Sequence, residues 1–452
     1  VLVDWGMNVL GWQILNEKSD YVLDMPRLSD EEKEIIIKTE ERFKEATRSR
    51  EVNGKQESVS LISTIMIKAA EELGFYLDID QQEYLSNIAI SHIYGFAFVE
   101  RLIEDQEIEE ISIIGPMKPV YVYVRKKGWK KVNACFENEK AIADIINKMS
   151  RGVGRHITIQ NPRLDAVLPD GSRLHGSLSP ISSGEITIRK FRSRPYSPIE
   201  IVKNETVSLE AMALLSVLMQ CDLSILIAGN TASGKTTTMN GLFSFVPGNE
   251  RVIITEETPE INIPHEHQLR LVANKEMNIT LKDLVYDSLR MRPDRMIVGE
   301  VRNKEEVEAF FDVVLAGQAR GSYATIHGRS TQEAISRLNS FGIRDLDVQS
   351  IDCIIVQRRM LVYDPKKRKN IEIRKVTEIA ELDKDGNPHG FYDGNKINSN
   401  MLIEKAAQSF GLSDKEMEDE FKQRMRIISK ADADYFRFFS AVQEKFYGFG
   451  GE

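Results

Sequence analysis

The spacing of apolar residues at the start of the chain is helical. Over residues 1–105, polar capping signatures precede apolar residues that recur every three or four positions. Two such signatures are Ser29 with Glu32 and Asp80 with Glu83, in which a short polar side chain and an acid three residues later cap each other's backbone. We therefore predict a helical region over residues 1–105.

The apolar period changes to two after this region. Val120, Val122 and Val124 alternate with polar or aromatic residues, which is typical of a half-buried strand. A helical pattern and three more strand-like runs follow, so residues 106–192 are predicted to form a small α/β domain. Two prolines within residues 193–198 favour an extended connector, which we interpret as the interdomain linker.

From residue 199 onward, short apolar runs of strand length alternate with helical patterns. Such alternation predicts a largely parallel sheet with crossover helices. The chain ends in helices, one of which opens at Ser413 with Glu416 as its capping partner. The prediction for residues 199–452 is therefore a second, larger α/β domain with a helical tail.

Composition narrows the class of protein. The chain has 452 residues, of which 42% are hydrophobic and 29% charged, as in globular proteins. Its formal net charge of -9 argues against a protein that coats nucleic acid. Three scattered cysteines suggest neither a disulfide framework nor a cysteine zinc site, and a reducing compartment fits best. No apolar run approaches the ~20 residues of a membrane span, so we expect the protein to reach a membrane only through a partner.

Residues 229–236 read G-x-x-x-x-G-K-T directly after an apolar strand-like run, the pattern of a phosphate-binding loop. Glycines let successive backbone N–H groups turn toward a polyphosphate. Lys235 is expected to contact the β- and γ-phosphates, and the hydroxyl of Thr236 to bind Mg²⁺. The predicted nucleotide-binding residues are Gly229, Asn230, Thr231, Ala232, Ser233, Gly234, Lys235, Thr236 and Thr237.

Acidic residues follow two other predicted strands, whose carboxyl ends should meet at the edge that carries the phosphate-binding loop. Glu300 either holds Mg²⁺ through water or polarises the attacking water. Glu256 and Glu257 form a second acidic pair, and their spacing does not rank them for these roles. His327, at the end of another predicted strand, is a candidate for sensing the γ-phosphate or coupling it to motion.

The order of these motifs resembles that of the secretion-superfamily ATPases. The matching stretches are the phosphate-binding loop, residues 254–260 with their three glutamates, residues 297–302 and residues 321–327. The resemblance continues upstream through residues 163–173 and 186–191, and thus covers roughly residues 100 to 360. Four motifs in the family's order are far more specific than any one of them.

The resemblance implies a RecA-like core that works as a homo-hexameric ring motor of type II or type IV secretion, type IV pili or the archaellum. It makes Glu300 the glutamate that supports hydrolysis, with one of Glu256 and Glu257 positioning water. Arg173 and Arg189 are similar to the arginines that approach the γ-phosphate when the domains close. The implied cofactors are ATP and Mg²⁺, and the implied location is cytoplasmic, at the inner face of the membrane on a polytopic platform protein.

Two departures narrow the resemblance. The chain lacks the four-cysteine zinc module of many bacterial pilus relatives, and Gln318 stands where the family often has an earlier histidine. The helical N-terminal region, residues 290–294 and the tail most resemble the archaeal archaellum and pilus branch. Two other functions stay open: a nucleic-acid translocase or recombinase, which uses the same core, and a nucleotide-gated scaffold that does not hydrolyse ATP.

Overall fold

The computed structural model describes residues 11–15, 19–24, 28–49, 55–192, 194–274, 277–366, 368–383, 385–398 and 401–449. The chain divides into two compact units, Val1–Arg192 and Ser193–Glu452, each with its own sheet and apolar core. No helix in the described ranges combines the length and apolarity needed to cross a bilayer.

Among the described residues between 11 and 105, the first unit has one short strand and four helices. They are β1 (Trp12–Ile14), α1 (Asp30–Ser49), α2 (Lys55–Glu72), α3 (Ile79–Ile93) and α4 (Phe98–Glu104). The region predicted as helical thus also contains β1, which pairs with a later strand. Three residues are too few to show a period, so the sequence pattern gave no sign of this strand.

Of the two predicted helix caps, the structure contains the one at Ser29 but not the one at Asp80. Ser29 and Glu32 exchange the expected bonds at the start of α1. The cap of helix α3 instead lies two residues before the predicted one, where Asp78 and Gln81 cap each other. The prediction of Asp80 as the cap was therefore wrong, because the extended backbone at Asp78 already starts the helix there.

Over the part of the first unit that the structure describes, its sheet has seven antiparallel strands in the order β1-β4-β3-β2-β7-β6-β5. The predicted alternation is confirmed in β3, where Val120, Val122 and Val124 are buried. The elements are β2 (Ile108–Ile113), β3 (Pro119–Val124), β4 (Gly128–Phe136), α5 (Glu139–Ser150), a 3₁₀ turn (Arg151–Val153), β5 (Arg163–Val167), β6 (Arg173–Ser177) and β7 (Glu185–Arg189).

The second unit is built on an eight-stranded sheet in the order β10-β9-β11-β12-β8-β13-β14-β15. Its strands are β8 (Ile225–Gly229), β9 (Val252–Glu256), β10 (Gln268–Val272), β11 (Arg295–Val301), β12 (Gly321–His327), β13 (Cys353–Asp364), β14 (Lys369–Leu382) and β15 (Pro388–Tyr392). The first six in that order run parallel, β14 runs antiparallel to β13, and β15 runs antiparallel to β14. The predicted α/β class with a largely parallel sheet is confirmed.

Helices cover both faces of this sheet. They are α6 (Pro198–Lys203), α7 (Leu209–Leu218), α8 (Lys235–Leu242), α9 (Leu281–Ser288), α10 (Lys304–Ala316), α11 (Thr331–Ser340), α12 (Asp345–Val348), α13 (Met401–Phe410), α14 (Asp414–Lys430) and α15 (Tyr435–Tyr447), with a 3₁₀ turn at Phe243–Phe245. Successive residues of β8 point to opposite cores: Ile225 and Ile227 into one, Leu226 and Ala228 into the other. This two-sided burial explains why the strand is apolar throughout.

Candidate functional site

The loop between β8 and α8 lies at the carboxyl edge of the parallel strands. Its backbone takes positive φ angles at Ala232 (58°) and Gly234 (96°), and glycine adopts this conformation at least cost. A Cβ atom on Gly229 would lie 2.2 Å from the carbonyl oxygen of Gln357, so the close approach of β13 also requires glycine there. The backbone thus has the tight turn that a phosphate cradle needs.

Two side chains of the phosphate-binding loop, those of Lys235 and Ser233, can donate further hydrogen bonds to a ligand. The buried ammonium of Lys235 bonds the carbonyl of Gly229 at 3.3 Å. The hydroxyl of Ser233 is buried and has no hydrogen-bond partner within the described residues. Burial lowers the pKa of Lys235, and the nearby carboxylate of Glu300 opposes that fall. These donors, together with the backbone turn, fit an anionic phosphate group.

The hydroxyl of Thr236 faces a carboxylate that the sequence reasoning did not select. Its Oγ1 donates to Oε2 of Glu260 at 2.9 Å. Hydroxyl and carboxylate oxygens are the ligands that Mg²⁺ prefers, so this pair fits a magnesium ion. Glu260 lies within the acidic motif, but in the loop after β9 and not at the end of that strand. A prediction based on acidic residues at strand ends therefore does not include it.

Three cationic or ionisable side chains surround the carboxylate of Glu300 at the end of β11. Its Oε1 lies 3.5 Å from Nζ of Lys235 and 3.2 Å from Nε2 of His327, and its Oε2 accepts from Nε of Arg302 at 2.7 Å. Burial opposes ionisation, but these neighbours outweigh it and lower the pKa of Glu300. The pKa of His327 is lowered by burial and by Lys235. Lys235, Glu300 and His327, all predicted site residues, are thus brought together.

Glu256 and Glu257, the predicted acidic pair, lie in different environments. Glu256 is buried, and its Oε1 accepts from the backbone N–H groups of Glu260 and Ile261 at 2.7 and 2.8 Å. Burial raises the pKa of Glu256 to about 7. Glu257 instead forms an ion pair with Arg302. Glu256 therefore shapes the turn that presents Glu260, and a water-positioning role for either member of the pair stays a prediction.

Strands β13 and β14 hold the phosphate-binding loop from the side. Nε2 of Gln357 donates to the carbonyl of Ser233 at 2.8 Å, and its Oε1 accepts from the hydroxyl of Thr238 at 2.6 Å. Asn230 exchanges two bonds with the backbone of Arg359, at 3.0 and 2.8 Å.

A third contact comes from β14, where Nε of Arg374 donates to the carbonyl of Ala232 at 2.9 Å. None of these strand residues was predicted as part of the site. They lie more than 120 positions after the loop, and no local motif marks them.

The predicted arginines of the first unit are direct neighbours. Arg173 in β6 is paired in register with Arg189 in β7, on the antiparallel sheet of that unit. Arg189 is exposed, and Arg173 is half-buried. Their predicted contact with a γ-phosphate stays a prediction.

The chain is similar to proteins of archaea and bacteria. It is 31% identical over 372 residues to the uncharacterized protein MJ0900 of Methanocaldococcus jannaschii, covering 76% of this chain and 66% of MJ0900. The chain thus spans just under two thirds of that relative. It is 26% identical over 339 residues to the type IV secretion system protein VirB11 of Bartonella quintana, covering 60% and 93% of the two chains.

Among solved structures, the Legionella pneumophila ATPase DotB matches with a TM-score of 0.49 and 16% identity, over 78% of this chain and 93% of DotB. The model of the family described as "Type II/IV secretion system protein" matches residues 93–432, three quarters of the chain. The chain therefore belongs to the type II/IV secretion system protein family.

Proposed function

We propose that this chain is an ATPase that hydrolyses Mg-ATP as a ring of six copies and drives a type IV pilus-like filament, an archaellum or a secretion machine. The observation that carries the proposal is the convergence of Lys235, Thr236, Glu260 and Glu300 at one edge of the parallel sheet. Membership of the type II/IV secretion system protein family supports the coupling of this site to a secretion or filament machine.

Each side chain has a distinct part in the proposed reaction. The loop backbone and Lys235 bind the phosphates, and Thr236 and Glu260 would hold Mg²⁺, which neutralises charge on the phosphate oxygens when bound. Glu300 is ionised and orients the attacking water. Arg302 fixes the carboxylate of Glu300 through a 2.7 Å bond, so the carboxylate is in place before the substrate arrives.

The archaeal relative supports placement in the archaeal branch, and the secretion family supports a membrane platform as the partner. We propose that the motor acts at the cytoplasmic face of the membrane.

The test is phosphate release and subunit mass measured on one purified sample, with and without Mg-ATP and single-stranded DNA. The proposal expects a six-subunit ring that releases phosphate without DNA and loses activity when Mg²⁺ is chelated. A monomer that hydrolyses ATP only with DNA would support the translocase instead. Assembly without any phosphate release would support the nucleotide-gated scaffold.

A further inference from the structure

A long hairpin extends from the sheet of the second unit. Residues 353–357 of β13 pair with β8, whereas residues 358–364 continue past the phosphate-binding loop, paired with β14. At about 3.3 Å per residue, those seven residues add about 23 Å of strand. Leu361 and Tyr363 on this extension are 71% and 60% exposed. Residues 358–375 are called the arm below.

The arm carries a charge opposite to that of the rest of the chain. Its 18 residues include eight Lys or Arg and two Asp or Glu, a formal charge of +6 in a chain of net charge -9. Lys366, Arg368 and Lys369 at its tip are exposed. Such a concentration of one sign on an exposed hairpin indicates a contact with an acidic surface.

The base of the arm is attached to the phosphate-binding loop. Arg359 and Arg374, both in the arm, bond Asn230 and Ala232 of that loop, and Gln357 lies directly before the arm. A force or displacement at the tip therefore acts on the backbone that would bind phosphate.

The opposite flank of the same sheet has a cavity of about 380 Å³ beside the edge strand β10. Its charged lining residues are three glutamates, Glu257, Glu305 and Glu306, and one lysine, Lys282. Glu257 pairs with Arg302, which bonds Glu300, so the cavity borders the ion-pair network of the candidate site.

We propose that the arm of one copy of this chain docks at the β10-side cavity of the next copy. The arm is basic and the cavity acidic, and the two lie at opposite flanks of one sheet, as a head-to-tail contact requires. A contact of this kind closes into a ring when its rotation closes. It links the phosphate-binding loop of one copy to Glu257 and Arg302 of its neighbour. The inference rests on the proposed ring.

The test is a charge exchange measured by native mass spectrometry with Mg-ATP. The tip variant Lys366→Glu with Lys369→Glu is compared with wild type and with a control, Lys415→Glu with Lys430→Glu, which makes the same charge change on exposed residues of α14. Glu305→Lys in the cavity is then added to the tip variant. Glu305 is exposed, and we expect the fold to tolerate its replacement.

We expect the tip variant to assemble at least about tenfold more weakly than the control, because like charges then face each other. Adding Glu305→Lys should restore most of the loss. Full assembly of the tip variant would overturn the inference while leaving the ring intact, and so would a loss that Glu305→Lys does not restore. A wild-type chain that stays monomeric would overturn the ring itself and the inference with it.

Discussion

Nζ of Lys235 lies 3.5 Å from Oε1 of Glu300, so the residue that begins α8 faces a carboxylate near the end of β11. The two side chains come from positions 65 apart and meet because β8 and β11 are parallel, with β12 between them. A cation that would bind phosphate therefore forms an ion pair with a carboxylate that would orient water.

Replacing Lys235 should remove most of the affinity for ATP. Lys235→Met keeps much of the buried stem but loses the ammonium, so we expect ATP to bind at least about tenfold more weakly, since charge-assisted bonds to phosphate are strong. Titration with a fluorescent ATP analogue measures this. Lys203→Met, at an exposed position of α6, is the control and should bind as wild type. Unchanged affinity in Lys235→Met would remove the loop from the binding site.

Glu260 should matter for turnover more than for nucleotide affinity. Glu260→Gln keeps the shape but weakens the acceptor for Thr236 and a metal ion, so we expect phosphate release to fall at least about 100-fold and to shift to higher Mg²⁺ concentrations. The control is Glu266→Gln, an exposed glutamate of the same region. If both variants turn over equally, Glu260 has no part in the chemistry.

Glu256 should make stability depend on pH. Its pKa is about 7 in the folded chain against an ordinary value of 4.5, so the group favours folding below pH 4.5 and loses that contribution as pH rises through about 7. The shift corresponds to roughly 3 kcal/mol. Denaturant unfolding at pH 5 and pH 8 should show a smaller difference between the two pH values for Glu256→Gln than for wild type. An identical difference would show that Glu256 does not titrate in this range.

The hydrogen bonds of Gln357 to Ser233 and Thr238 should contribute to both stability and nucleotide affinity. Gln357→Ala leaves the buried hydroxyl of Thr238 and the carbonyl of Ser233 without their present partner, which costs about 2 kcal/mol or more. We expect the free energy of unfolding to fall by that amount and ATP to bind more weakly. Gln408→Ala on the exposed side of α13 should change neither quantity. Wild-type behaviour of Gln357→Ala would mean that the loop does not depend on Gln357 and that the contacts of Asn230 and Arg374 suffice to hold it.

The sequence predicts the parts of this site that depend on local pattern. The phosphate-binding loop follows an apolar strand, and Glu300 and His327 lie at the carboxyl ends of two others. Parallel strands bring these ends to one edge of the sheet.

The cap of α3 could not be chosen from the sequence. Asp78 and Asp80 both lie near the start of this helix and offer equivalent caps, and only the backbone conformation selects Asp78.

The positions of Gln357 and Glu260 in the site depend instead on tertiary contacts. Gln357 reaches the loop only because β13 pairs with β8, and Glu260 faces Thr236 only because Glu256 turns the intervening chain. Neither relation leaves a local trace in the sequence, since a glutamine in a strand and a glutamate in a loop are both common on ordinary surfaces.

The most direct test of the account is steady-state phosphate release from Mg-ATP by wild type, Glu300→Gln and the control Glu308→Gln, with subunit mass recorded for each sample. Glu308 pairs with Lys304 on α10 and touches none of the site residues described above. We expect Glu300→Gln still to assemble and bind ATP but to release phosphate at least about 100-fold more slowly, while Glu308→Gln matches wild type. Full turnover by Glu300→Gln would contradict the assignment of this edge of the sheet as the site of hydrolysis.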